Sequence, residues 1–175
     1  MKIKDVTDRI ESFAPLCLQE SYDNAGLIVG RADDTLRGGV LIAVDVTDEV
    51  IDEAIELGCG MIITHHPIVF QPLKRFNSAS LVERCVERAI KHDIALYACH
   101  TNLDSAPNGM SWRLGQQLGV QDMQILEPTG EGVGFGTVGN LDKPMGVDEF
   151  FALLRTTLGC QAVRHSQVVK PTVQR

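Results

Sequence analysis

The sequence predicts an α/β fold, a mostly parallel sheet with helices on both faces. Three observations predict it. Apolar runs of strand length recur at Val40–Val44, Met61–Thr64 and Ile94–Cys99. A segment with helical apolar spacing separates each run from the next. The links are mostly short, which is the signature of a parallel sheet with right-handed crossovers.

The elements follow in order. Val6, Ile10 and Phe13 form one stripe of an opening helix, which Pro15 stops. Ser21-Tyr22-Asp23-Asn24-Ala25 reads as a polar turn that feeds the apolar strand Gly26–Gly30. The run Val40–Val44 has the continuous apolar character of a strand covered on both faces. Asp45-Val46-Thr47 follows it, and Val50, Ile51, Ala54, Ile55 and Leu57 then mark a helix. Asp48 and Glu49 suit that helix's first turn, where the dipole favours negative charge, and Gly58 and Gly60 close it.

Met61-Ile62-Ile63-Thr64 leads straight into His65-His66-Pro67, and a loop rich in Pro, Asn and Ser precedes a helix carrying Leu81, Cys85 and Ala89. The third run ends in His100-Thr101-Asn102-Leu103-Asp104. A helix over Met110–Leu118, a glycine-rich stretch Gly130–Gly139, a helix over Val147–Leu158 and a strand over Ala162–Val169 complete the reading. The expected organisation is an α/β domain over residues 1–127 and the start of a second half, incomplete, over 128–175.

Composition narrows the function. A hydrophobic share of 44% and a charged share of 22% belong to a folded globular chain. The net charge of -7 and the scattered Lys and Arg give nucleic acid no basic patch to meet. Met1-Lys2-Ile3-Lys4-Asp5 lacks the apolar run of a signal peptide, and no stretch reaches the length of a membrane span. Cys17, Cys59, Cys85, Cys99 and Cys160 are odd in number and form no CxxC, and most sit inside apolar runs, as expected of small buried side chains in a reducing cytoplasm.

The chemistry gathers at the strand exits, because ligands of an open parallel sheet sit outside the carboxyl ends of its strands. One exit delivers His65 and His66 and the next delivers His100 and Asp104; four of the five histidines lie within residues 65–100. Adjacent histidines on a regular strand point to opposite faces. At an exit the backbone turns, and Pro67 holds His66 extended, so the pair can splay onto one metal ion or two. Imidazole and carboxylate together suit zinc, iron, manganese, nickel or cobalt, and the sequence does not choose among them. Water completing the shell is a candidate nucleophile.

Tyr22-Asp23-Asn24-Ala25-Gly26-Leu27, Asp45-Val46-Thr47, Ile63-Thr64-His65-His66-Pro67 and His100-Thr101-Asn102-Leu103-Asp104 occur in that order. With these motifs the chain resembles the dinuclear-metal family of GTP cyclohydrolase 1 type 2-like proteins. These are also called NGG-interacting-factor-three-like, after a link to a yeast transcriptional co-activator component. The similarity spans about residues 1–165. It implies two divalent metal ions per subunit, held by His65, His66 and Asp104. Apart from the resemblance, Asp23, Asp45 and His100 are expected to stand behind these ligands, His100 either orienting a ligand or a water or bonding to backbone. The resemblance further implies a ring-shaped homohexamer with its sites facing an inner cavity, and metal-dependent hydrolysis of a small-molecule substrate, GTP ring opening by name.

The family's ligand set also includes a His followed four residues later by Glu, a pair absent from residues 1–175. His165 is no substitute. The expectation for this chain is therefore incomplete two-metal occupancy and weak catalysis. A non-catalytic metal-binding or protein-interaction module is the competing reading.

Two other motifs lead elsewhere. Gly134-Phe135-Gly136-Thr137-Val138-Gly139 matches GxGxxG, but Pro144 stands where a phosphate-binding helix would begin, so a glycine-rich strand or turn is expected. Cys99 beside His100 ends an apolar run and reads as a packed thiol, not a nucleophile.

Overall fold

The computed structural model describes residues 1–175, and the chain forms two compact units, Met1–Ala106 and Pro107–Arg175. The boundary expected after residue 127 lies inside a strand of the second unit. In the first unit, α1 (Ile3–Glu11) precedes β1 (Gly26–Val29), β2 (Val40–Ala43), α2 (Asp48–Glu56), β3 (Met61–Thr64), α3 (Leu81–Lys91), β4 (Ala95–Ala98) and the short α4 (Thr101–Ser105).

The sheet runs in the order β1-β4-β3-β2. β2, β3 and β4 are parallel, with Ala43 opposite Thr64 and Thr64 opposite Ala98, while β1 pairs antiparallel with β4. This corrects the expected mostly parallel sheet: the fold is mixed α/β. The reason is connectivity. A strand joined to β2 by only ten residues has no crossover helix to bring it round in parallel, and it takes the far edge in the opposite direction.

Alternation along the strands splits the core in two. Ile62 and Leu96 face one side and pack with Ile51 and Ala54 of α2 and Cys85, Val86 and Ala89 of α3. Met61, Ala95 and Tyr97 face the other, with Ile3, Val6 and Ile10 of α1. Helices thus cover both faces. Thr47 caps α2 by accepting the Val50 N–H (3.3 Å), and Asp48 and Glu49 fill the first turn as expected. Across to α3, Asp48 receives Arg84 Nη2 at 3.0 Å, and Arg88 reaches both Asp48 and Asp52.

Cover is incomplete at β2. Leu41 and Val40 join the two cores, but Ile42, on the face that α1 covers, is 76% exposed and Val44 is also exposed. The expectation that the whole Val40–Val44 run is covered on both faces therefore fails at this edge strand.

The second unit holds α5 (Met110–Gln117), the antiparallel hairpin of β5 (Gln121–Gly130) and β6 (Val133–Asn140), β7 (Met145–Gly146), α6 (Val147–Leu158) and β8 (Thr172–Val173). The GxGxxG run lies in β6. A Cβ on Gly134 would come within 2.3 Å of the Glu127 carbonyl oxygen, so the glycine serves close strand approach. The strand expected over residues 162–169 does not form. The pairing belongs to Thr172–Val173, which lies against Met145–Gly146.

Ile51 is fully buried between α2, α3 and the sheet. Ile51→Ala is expected to lower unfolding free energy by about 2–5 kcal/mol in urea titrations. Ile42→Ala should stay within about 0.5 kcal/mol of wild type.

Candidate metal centre

The parallel register brings two strand exits to one level. Beyond β3 and β4 the ladder continues for a step, with Cys99 N–H donating to the Thr64 carbonyl (2.8 Å) and His66 N–H to the Val44 carbonyl (3.1 Å). The Thr64 hydroxyl donates to the His66 carbonyl at 2.8 Å and fixes the turn that splays the two histidines. On the β4 side, the buried Asn102 side chain accepts the His100 backbone N–H (2.9 Å) and donates to the Ala14 carbonyl (2.8 Å). This clamps the start of α4 and sets Asp104 one turn further along.

His65, His66 and His100 each offer a ring nitrogen, and the three nitrogens lie within 4.8 Å of one another. The ring centroids are 4.9, 5.2 and 5.6 Å apart. Asp104 Oδ2 lies 3.9 Å from His65 Nε2. His65 and His100 are mostly covered, and His66 is half exposed.

The Nδ1 atoms are all occupied. His65 Nδ1 is 2.9 Å from the Cys99 carbonyl oxygen, His66 Nδ1 is 2.7 Å from Asp45 Oδ1, and His100 Nδ1 is 2.8 Å from Asp23 Oδ1. A carbonyl or carboxylate oxygen can only accept, so each Nδ1 carries the proton. In the neutral ring each Nε2 is then left with its lone pair. Metal-binding histidines are characteristically oriented in this way.

Asp23 reaches this edge because β1 is antiparallel: the start of β1, with Gly26 opposite Ala98, lies beside the end of β4. Its side chain is 0% exposed. Burial alone would raise its pKa, but hydrogen bonds from the Thr101 hydroxyl, His100 and the Asn24 and Thr101 backbone N–H groups outweigh that and lower it. The carboxylate is charged. Asn24 Nδ2 donates to the Val69 carbonyl (2.7 Å), tying this turn to the loop after His66.

All six residues singled out from the sequence, Asp23, Asp45, His65, His66, His100 and Asp104, meet at this one edge. Asp45 and Asp23 stand behind His66 and His100. His100 itself, expected behind the ligands, lies in the imidazole cluster. The Cys99 carbonyl, Thr101 and Asn102 were not foreseen as parts of the site. Cys99 is buried, and burial pushes its thiol pKa up to about 11, which supports packing and not nucleophilic chemistry.

A mixed α/β sheet with three oriented imidazoles and a carboxylate on its carboxyl edge belongs to the class of proteins whose residues can hold a cation there. The particular family is defined by the whole chain. The family model Duf34/NIF3 (NGG1p interacting factor 3) matches residues 1–175, and the chain belongs to that family. It is 38% identical over 168 residues to a GTP cyclohydrolase 1 type 2 homolog of Clostridium perfringens, covering 95% of this chain and 64% of that protein. A homolog of the same name from Clostridium acetobutylicum is 36% identical, with 94% and 62% covered. The chain thus spans under two thirds of these relatives' length. The fold matches the crystal structure of a Bacillus cereus protein related to NIF3 with a TM-score of 0.92, at 23% identity, covering 99% of this chain and 75% of that one.

Thiol chemistry checks the packing at the site. At pH 8 a disulfide reagent is expected to label the exposed Cys17 quickly and to leave Cys85 and Cys99 unmodified until denaturant is added. Peptide mass spectrometry reads the sites directly.

Proposed function

We propose that the chain binds divalent metal at His65, His66 and Asp104, two ions per subunit by its family resemblance. On this reading it is part of a metal-dependent hydrolase acting on a small-molecule substrate. The observation that carries the reading is the state of the three imidazoles. Every Nδ1 is committed to an oxygen acceptor, and three ring nitrogens converge within 4.8 Å beside Asp104. This donor set fits zinc, iron, manganese, nickel or cobalt.

His65 and His66 would supply neutral donors, and Asp104 a negative charge against the cation. A bound divalent ion supplies Lewis acidity and activates water near neutral pH. Asp45 would hold His66 in its donor orientation, as the Cys99 carbonyl would hold His65. GTP ring opening is the substrate reading, and the name of the clostridial relatives supports it. A cytoplasmic setting agrees with five free thiols.

The family resemblance also supports a homo-oligomer, a hexamer in its full form. Tyr22 and Phe70 are exposed aromatic residues beside the site, 6.4 Å apart and edge to face, and suit burial between subunits.

Protein purified without chelators is expected to retain divalent metal by elemental analysis, and the double variant His65→Ala/His66→Ala should lose it. Asp104→Asn keeps the shape but removes the charge, and should weaken Zn2+ affinity by about tenfold or more. Unchanged metal content in the double variant would falsify the assignment. Light scattering at micromolar concentration should give a mass well above the 19.1 kDa of one chain, and a monomer mass would contradict assembly.

A further inference from the structure

The four hydrogen bonds on Asp23 reach beyond the ligand set above. Its Oδ1 receives the Asn24 backbone N–H (2.7 Å) and faces His100 Nδ1 (2.8 Å). Its Oδ2 receives the Thr101 backbone N–H (3.1 Å) and the Thr101 hydroxyl. The Thr101 oxygen in turn accepts the Glu20 N–H at 2.9 Å, which leaves the hydroxyl proton for Asp23. A carboxylate has about four acceptor positions, and all are used. With no exposure to water, this group can do nothing at His100 except accept.

We propose that Asp23 is a positioning residue that locks His100 in the Nδ1–H tautomer, which makes His100 a third imidazole donor to the divalent cation. The inference rests on the metal reading of the cluster. It assigns His100 a direct place that the resemblance gives only to His65, His66 and Asp104. His100 has the same arrangement as the other two: Nδ1 anchored, ring among the cluster, mostly covered from solvent.

A purely structural role for Asp23, pinning the Glu20–Asn24 turn to the start of α4, predicts something different. In Asp23→Asn the new amide keeps its oxygen on the two Thr101 donors, which are buried, and turns its NH2 toward Asn24 N–H and His100. The Asn24 N–H lies at an exposed turn and can bond to water instead. The amide then donates to His100 Nδ1 and drives the ring proton onto Nε2, where it blocks metal. Thr101→Val removes two bonds of the same network, the hydroxyl's to Asp23 and the Glu20 N–H's to the hydroxyl, but leaves the His100–Asp23 pair intact. A pinning role ranks the two variants together, whereas the tautomer lock separates them.

The experiment uses the whole chain and two readouts. Long-range 1H–15N spectra of the metal-free protein report which ring nitrogen of neutral His100 is protonated. Competition against a chromophoric chelator reports Zn2+ affinity. Wild type is expected to show Nδ1–H, Thr101→Val the same, and Asp23→Asn to show Nε2–H. Zn2+ affinity should fall about 10–100-fold in Asp23→Asn and at least as far in His100→Ala, with Thr101→Val close to wild type. If Asp23→Asn loses its fold by circular dichroism, His100→Gln, which removes the donor nitrogen and leaves Asp23 in place, carries the affinity arm. Wild-type His100 protonated at Nε2, or undiminished Zn2+ affinity in both Asp23→Asn and His100→Ala, overturns the inference. A wild type that shows Nδ1–H but takes up no Zn2+ overturns the metal reading instead, and the two failures are thereby distinguished.

Discussion

The register of β3 against β4 is the constraint on which the site depends. Thr64 stands opposite Ala98, and the Cys99 N–H to Thr64 carbonyl bond carries the pairing past both strand ends. Side-chain direction in a sheet has a period of two. A slip of one residue would send His65 to the other face and move its Nδ1 away from the Cys99 carbonyl. The apolar residues that fix the register lie within the strands. Met61, Ile62, Leu96 and Tyr97 are all buried, and each points to the face its core requires. Core packing and imidazole geometry are therefore one constraint seen at two places.

All four strands of that sheet contribute to the edge. β3 supplies His65 and His66, and β4 supplies the Cys99 carbonyl, His100 and, through α4, Asp104. The exit of β2 supplies Asp45. The start of β1 supplies Asp23, which its antiparallel direction makes possible. A parallel β1 would have left Asp23 at the opposite edge, some four residues of strand away. The antiparallel edge strand that departs from the expected topology is therefore what completes the site.

The parts legible in the sequence were those with a local signal. Continuous apolar runs marked β2, β3 and β4, and the polar residues that end them marked the edge where His65, His66, His100 and Asp104 converge. The ten-residue link between β1 and β2 carried a signal against a parallel β1, but nothing in residues 30–39 encodes which edge the strand takes. The pairing of Asp23 with His100, 77 residues apart, was not legible either. The Cys99 carbonyl could not be read at all, since every residue carries one and only register selects it. β5 escaped notice because most of its side chains are exposed and leave no alternation to see. The strand expected over Ala162–Val169 has no partner there, and β-propensity without pairing does not make a strand.

Charge explains why such an edge would suit a cation. Asp45 and Asp23 hold His66 and His100 by their Nδ1 atoms, the Cys99 carbonyl holds His65, and Asp104 Oδ2 lies 3.9 Å from His65 Nε2. In neutral His65, the Nε2 lone pair and the facing Asp104 carboxylate are both acceptors. A divalent ion would answer both at once, because Nε2 would gain a Lewis acid and Asp104 a counter-charge in a partly covered site. Binding that favours the folded state adds stability in proportion to the logarithm of ligand concentration over Kd. That gain acts on the strand exits, where the hydrophobic cores have ended and only hydrogen bonds hold the backbone. The sheet thus positions the imidazoles, and a cation held by them would in turn brace the open end of the sheet.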